Sequence, residues 1–246
     1  MATLPVQSRT FLDAQWRKLI MVNYAVEPEV LKKYLPFETE LDLWNGTCYV
    51  SLVGFMFVNT KMLGMRIPLH VNFEEVNLRF YVKYKDTEQY KRGVVFLKEI
   101  VPRAAITFVA NLLYNENYET LKTRHSWTET NDTRTVEYGW RKGQWHSVKV
   151  IADNKAVDIA PGSEEEFITE HFWGYTKINS VATSEYEVVH PRWQIYPVRD
   201  YKVDVDFRKV YGSDFAFLQD LTPVSVYLAE GSEILVKQGR KLKIKK

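Results

Sequence analysis

Three features of the sequence predict an α+β protein built mainly of antiparallel strands, with curved sheets closing into a barrel-like core and three or four short helices. Many short stretches alternate apolar and polar residues with the two-residue period of a half-buried strand. Tight turns such as Asn45-Gly46 join them, where a parallel sheet would need helical crossovers. Aromatics make up 14% of the 246 residues, including 15 Tyr and 7 Trp, and large flat side chains suit pleated sheet surfaces.

The first strand is expected over Trp16 to Ala25, through Leu19-Ile20-Met21-Val22. Pro28 suits a first helical position, so a short helix should run from Pro28 to Tyr34 and stop near Pro36. Glu40 to Trp44 alternates like a strand. Asn45 and Gly46 both tolerate positive φ and make a hairpin turn into a returning strand, Thr47 to Val58. Gly54 marks a bulge or a close backbone approach within it. Val76 to Lys83 and Gly93 to Ile100 are further strands. Pro102 to Leu113 changes to helical spacing, with Ala105, Phe108, Val109, Leu112 and Leu113 on one face. Short strands follow from His125 to Ala152, turning at Lys142-Gly143. Ser163-Glu164-Glu165-Glu166 has the form of a capping box and should start a helix reaching about His171. Glu185 to His190, Tyr201 to Tyr211, Val224 to Ala229 and Ile234 to Lys237 complete the strands, with Glu230-Gly231 as a turn. The absence of regular strand–helix alternation and of any Pro/Gly/Ser-rich linker argues for one domain over residues 1–246.

Composition excludes several functions. Thirty-three Lys and Arg face 31 Asp and Glu, a net charge of +2 that gives no general attraction for nucleic acid or anionic lipid. Six cations crowd into residues 237–246, where Lys241-Leu242-Lys243-Ile244-Lys245 alternates like an edge strand guarded by lysines. The single cysteine, Cys48, has no partner for an internal disulfide, and no secretion signal or bilayer-length apolar run is visible, so a cytoplasmic location is expected. Walker, GxGxxG, GxSxG and HExxH motifs are absent. The five histidines, His70, His125, His146, His171 and His190, lack local metal-ligand spacing, so neither metal nor cofactor is expected.

Several strings resemble known families. Arg17-Lys18-Leu19-Ile20-Met21-Val22-Asn23-Tyr24, Pro28 to Pro36 and Glu40-Leu41-Asp42 resemble the opening of the acetoacetate-decarboxylase-like superfamily. Tyr49-Val50-Ser51-Leu52-Val53-Gly54-Phe55, the run Asn72 to Val82, the run Arg92 to Arg103, His190-Pro191-Arg192-Trp193 and Leu228-Ala229-Glu230-Gly231-Ser232 resemble more closely a bacterial YqjF-like family, a domain of unknown function. In the decarboxylase a lysine within Tyr-Pro-Lys-Lys forms a Schiff base with a β-keto acid. The corresponding segment here is Tyr114-Asn115-Glu116-Asn117-Tyr118, which places Glu116 or Asn117 at the lysine position, and neither side chain can form an imine. The text Trp173-Gly174-Tyr175-Thr176-Lys177 imitates the lysine motif but comes some sixty residues too late. The resemblance further implies that Arg17 and Glu75 match the superfamily's site arginine and glutamate.

The candidate site residues follow. Arg17, flanked by Trp16 and Leu19, is either an inward guanidinium holding a carboxylate in a two-pronged contact or a surface ion pair. The family analogy makes it the anion anchor, paired with Glu75 when no ligand is bound. Glu75 shares a strand face with Asn77 and Arg79, while Val76, Leu78 and Phe80 form the opposite, core face. The polar set lines either a cavity or the solvent surface; a cavity is the expectation. Glu75, with Glu116, is a candidate for acid/base work, and Tyr114 and Tyr118 for ligand binding. His70 and His125 read as structural, His190 as a strand end and Cys48 as a small buried group. Two functional readings remain. One is an enzyme moving protons on a small organic acid or carbonyl compound bound non-covalently; the other is a binding or sensing module that has lost catalysis. Neither involves nucleic acid or membrane, and a homo-oligomer is compatible with both.

Overall fold

The computed structural model describes residues 9–104, 107 and 117–243. Its main sheet is ordered around a ring. Strand β1 (Thr10–Ala25) pairs with β3 (Tyr49–Met62), β3 with β4 (Phe73–Asp86) and β4 with β5 (Gln89–Val101), all antiparallel. Strand β5 meets β11 (Trp173–Asn179) in parallel, and β11 turns back antiparallel into β12 (Ala182–Val189). Strand β12 then pairs with β15 (Ser225–Lys237) through Val188–Val236 and Val189–Leu235, and β15 returns to β1. The seven strands thus close on themselves, which removes the open edges that a curved sheet would otherwise leave. Short strands hang from this ring: β2 (Thr39–Leu41) on β4, β6 (Tyr118–Thr120) on β5, β13 (Gln194–Tyr196) on β15, β10 (Val157–Asp158) on β13, and β16 (Arg240–Lys243) on β12. The last of these is the lysine-guarded strand expected at the basic end.

A second, four-stranded antiparallel sheet contains β7 (Lys122–Glu129), β8 (Thr133–Lys142), β9 (Gln144–Asp153) and β14 (Val198–Asp204). Its Val136, Tyr138, Trp140, Val148 and Val150 pack against the outward face of the ring, made by Val50, Leu52, Val76, Leu78 and Phe80. Phe207 and Val210 of a short helix join the same layer, so β4 is covered by a sheet as well as by a helix. The inward residues of the same strands, Val53, Phe55 and Phe57 of β3 with Phe73 and Tyr81 of β4, form a second apolar cluster inside the ring. The two clusters are therefore two faces of shared strands, the direct result of two-residue alternation.

Turn chemistry decides the local geometry. Asn45 (φ 48°) and Gly46 (φ 81°) make the tight connection between Trp44 and Thr47, whose backbones exchange hydrogen bonds of 3.1 and 2.9 Å. Gly143 at φ 73° turns β8 into β9. Helix α1 (Glu29–Lys32) is a single turn after Pro28. Helix α2 (Glu164–Thr169) starts at Ser163, whose Oγ accepts from the Glu166 N–H at 3.2 Å. The Glu166 side chain, however, accepts from the Gly162 N–H at 2.6 Å, so the capping box closes one residue earlier than its usual form. Gly54 is a close approach: a Cβ there would lie 3.0 Å from the Tyr138 ring of the second sheet.

Two sequence expectations are corrected. Tyr201 to Tyr211 is not one strand: β14 ends at Asp204, and the Asp206 side chain accepts from the Lys209 N–H at 2.9 Å to cap helix α3 (Phe207–Tyr211). Glu230-Gly231 is not a turn: β15 runs through it, and Gly231 (φ 80°) kinks the strand where a Cβ would strike the Trp16 carbonyl at 2.0 Å. Trp173–Asn179, the stretch that imitates the lysine motif, is ring strand β11. Most of the helix expected over Pro102 to Leu113 lies outside the described residues; a single helical hydrogen bond, Thr107 N–H to the Arg103 carbonyl at 3.2 Å, belongs to it.

Candidate active site

The ring surrounds a cavity of about 120 Å³ to which all seven of its strands contribute lining residues. Its walls are chiefly aromatic, with Trp16, Phe55, Phe57, Phe73, Phe96, Trp173, Tyr186 and Trp193 among them. Against that apolar wall stands a small polar group on β4 and β5. Alternation along β4 turns Glu75, Asn77 and Arg79 inward, all three buried. This is the cavity alternative of the sequence reading.

Asn77 donates from Nδ2 to Glu75 Oε1 at 3.0 Å, and the Tyr118 hydroxyl, at the start of β6, donates to Glu75 Oε2 at 3.3 Å. Burial pushes the Glu75 carboxyl up to about 7, although both hydrogen bonds and the Arg79 charge pull the other way. A carboxyl raised in this way can give or take a proton near neutral pH. Arg79 extends over the Tyr81 ring at 5.7 Å, and its buried Nε has no hydrogen-bond partner among the described residues.

A second carboxyl, Glu99 of β5, enters the same cavity as the cross-strand partner of Asn77. Strict alternation from Val94 and Phe96 would separate Glu99 from Phe96. The pairing shifts register between Leu78–Lys98 and Arg79–Phe96, and this bulge brings both Phe96 and Glu99 inside. No periodicity in the sequence reports that flip.

A third polar element comes from farther apart in the chain. Asp42, just after β2, accepts at Oδ2 from Arg92 Nε at 2.7 Å and from His171 Nε2 at 3.0 Å. Burial works against the Asp42 carboxylate, but these two hydrogen bonds outweigh it and hold its pKa below the ordinary value. His171, two residues beyond α2, lines the cavity and is pushed down to about 4, by burial above all and then by the Arg92 and Arg79 charges against the pull of Asp42. The sequence reading assigned no role to Glu99, Asp42 or His171.

Other candidates fall elsewhere. Arg17 does not join Glu75. The bulge at Lys18 (φ 54°) puts Trp16 and Leu19 into the cavity, while the Arg17 guanidinium turns to Gln15 Oε1 and Glu233 Oε1, each 3.2 Å away. It is the surface ion pair that had been the alternative, its side chain 26% exposed beside a Glu233 that is 70% exposed. Tyr114 and Glu116 lie outside the described residues. Asn117 binds the Leu97 carbonyl at 2.7 Å. Lys177 donates to the Lys33 carbonyl at 2.7 Å and is not part of the cavity lining, which among the described residues contains no lysine. His125 binds Glu74 at 2.6 Å and His70 the Pro68 carbonyl at 2.8 Å, in structural roles. His190 follows β12 and also lines the cavity, stacked on Trp193 at 4.3 Å. Cys48 is buried and its thiol pushed up to about 11 by that burial. Among the described residues no three His, Cys, Asp or Glu side chains group in a way that could hold a metal ion, and no helix is long and apolar enough to cross a membrane.

The family model for DUF2071, described as an uncharacterized conserved protein, matches residues 13–233. The chain belongs to this family. One curated relative is the uncharacterized protein YqjF of Bacillus subtilis strain 168, 33% identical over 82 residues; that alignment spans about a third of each protein, 33% of this chain and 32% of YqjF. Solved structures are similar over nearly the whole chain. Acetoacetate decarboxylase from Legionella pneumophila superposes with a TM-score of 0.63 at 11% identity, covering 98% of this chain and 92% of its own. The enduracididine biosynthesis enzyme MppR, complexed with pyruvate, gives 0.63 at 12% identity, covering 98% and 93%. An acetoacetate decarboxylase-like enzyme from Sphingomonas wittichii RW1 gives 0.63 at 9% identity, covering 96% and 94%. At these identities the likeness is one of fold: the protein is a DUF2071 member with an acetoacetate-decarboxylase-like fold.

Proposed function

We propose that the ring interior binds a small organic acid or carbonyl compound non-covalently, with Arg79 as the anion anchor and Glu75 as the proton-exchanging group. The observation that carries this reading is the meeting, in one cavity, of a buried guanidinium with an unbonded Nε and a buried carboxyl whose pKa is raised. A guanidinium stays charged at any working pH and supplies a planar fork suited to a carboxylate. Arg79 thus takes the role first expected of Arg17. Tyr118 and Asn77 hold the Glu75 carboxyl in place, and Glu99, across Asn77, supplies a second carboxyl toward the same space. Two carboxyls facing one ligand position favour acid/base chemistry over binding alone. The aromatic walls keep water from the reacting atoms and strengthen each electrostatic contact. The imine route plays no part in this reading.

Pyruvate, the molecule bound in the MppR structure, is a suitable first probe. Titration calorimetry should give binding to the wild type, a loss of at least tenfold in Arg79→Met, and no change in Arg17→Ala. Exchange of the pyruvate methyl protons in D₂O, followed by proton NMR, separates enzyme from binder. Wild-type protein should speed the exchange and Glu75→Gln should abolish the effect. Binding with no exchange would favour the sensing module.

A further inference from the structure

The anion anchor is only part of what the cavity presents. The carboxylate of Asp42 accepts hydrogen bonds and donates none, so the His171 nitrogen that faces it, Nε2, carries the proton. In the neutral ring the other nitrogen, Nδ1, is then a lone-pair acceptor. It is buried, in a side chain only 2% exposed, and has no hydrogen-bond partner among the described residues. Arg92 donates to the same Asp42 oxygen at 2.7 Å and helps to fix the carboxylate. Tyr81 and Phe167 clamp the imidazole, with ring centroids at 4.7 and 5.1 Å. The result is an acceptor of fixed tautomer and orientation, the arrangement by which a carboxylate presets a histidine for a partner on its far side.

His171 and Arg79 both line the cavity and both lie against the same ring, Tyr81. We propose that His171 is a specificity-determining residue that accepts a hydrogen bond from a hydroxyl next to the ligand's carboxylate, making 2-hydroxy acids the preferred class over plain or 2-oxo acids. The inference rests on the reading that Arg79 holds a carboxylate in this cavity. A 2-oxo group offers Nδ1 only a second acceptor, and a methylene offers nothing, so both leave the buried nitrogen unsatisfied. A site built to bond a hydroxyl discriminates against analogues that lack one. The low basicity of His171 fits this role, since a ring that resists protonation keeps its lone pair across the neutral range.

Calorimetry with three probes of one carbon skeleton tests the inference: 3-methylbutanoate, 2-hydroxy-3-methylbutanoate and 3-methyl-2-oxobutanoate. The wild type should bind the hydroxy acid about tenfold more tightly than the other two. His171→Phe keeps the ring and removes the acceptor; it should bind all three within about threefold of one another and hold the plain acid as the wild type does. Equal binding of the three by the wild type, or a hydroxyl preference that survives in His171→Phe, overturns the inference while leaving the carboxylate reading standing. If none of the three binds, the carboxylate reading falls and the inference with it. Should His171→Phe fail to fold, ¹⁵N NMR of histidine-labelled wild type decides. A pyridine-type Nδ1 that shifts with the hydroxy acid and not with the plain acid supports the role; a protonated Nδ1, or no shift, overturns it.

Discussion

Replacing Glu75 by Gln tests the central electrostatic claim without ligand. The carboxyl sits at about 7 in the folded protein against an ordinary 4.5, a difference of about 2.5 units. At 1.36 kcal/mol per unit, ionising Glu75 in the folded state costs about 3 kcal/mol more than in the unfolded chain. Below pH 4.5 the group is protonated in both states and imposes no such cost. Between pH 4.5 and 7 the unfolded chain releases the proton while the folded chain retains it, so this group's contribution to stability falls as pH rises, and the loss is complete above pH 7. The substituted amide keeps an acceptor for Asn77, and the Tyr118 hydroxyl can rotate to accept from its NH₂ group, so the local geometry survives. The measurement is urea unfolding of both proteins from pH 4.5 to 8. The stability of Glu75→Gln relative to wild type should climb by about 3 kcal/mol across that range, or roughly 6–12 °C in melting temperature for a chain of this size. Taking the difference at each pH cancels the titrating groups that do not interact with Glu75. A flat difference, or one that declines with pH, would refute the assignment of a raised pKa to Glu75.

Arg17→Ala removes an exposed pair and should lower stability by less than ~1 kcal/mol, read as a melting shift of a few degrees at most; a larger loss would return Arg17 to a structural or site role. Incubation with acetoacetate and borohydride should leave the intact mass unchanged, because no described cavity residue is a lysine and Lys177 is bound to the Lys33 carbonyl; any lysine adduct would sink the non-covalent reading. Gly231→Ala should destabilise by ~1–3 kcal/mol or prevent folding, since it combines a φ of 80° with a Cβ 2.0 Å from the Trp16 carbonyl. A wild-type urea midpoint for that variant would show that β1 and β15 separate at the kink.

Where the sequence read correctly, the determinant was local. Alternation along Val76 to Lys83 separated the cavity face of β4 from its packing face, and Asn45-Gly46, Lys142-Gly143 and Ser163 each enforced a turn or cap through their own backbone preferences. Where it failed, the determinant lay in a neighbouring strand. Gly231 looks like a turn residue by composition, yet its positive φ is used to bring β15 across Trp16. Glu99 reaches the cavity only through a bulge against β4, and His171 only through Asp42, 129 positions earlier in the chain. Arg17 illustrates the opposite error: its neighbours left both directions open, the family resemblance favoured the inward one, and the bulge at Lys18 leaves the side chain on the surface. Bulges break the two-residue phase on which strand reading depends, and those at Lys18 and between Phe96 and Lys98 decide which side chains reach the cavity.

The ring interior is a poor design for stability alone. Inside an aromatic wall it carries two carboxyls, a guanidinium, an amide and two imidazoles, and replacing buried polar groups by apolar residues of similar volume is commonly neutral or stabilising. The outward face of the same strands comes closer to that alternative, since Val76, Leu78 and Phe80 share one apolar cluster with Val136, Val148 and Val150 of the second sheet. The fold therefore has no need of polarity on β4; only the cavity side keeps it. There, each buried atom left unbonded carries a desolvation cost of ~1–3 kcal/mol, which a ligand with matching groups would recover on binding. Arg79 Nε calls for an acceptor and His171 Nδ1 for a donor. A molecule carrying both groups on adjacent carbons would satisfy both atoms around the Tyr81 ring while leaving Glu75 its proton to exchange, which unites anchoring, selection and acid/base chemistry in one space.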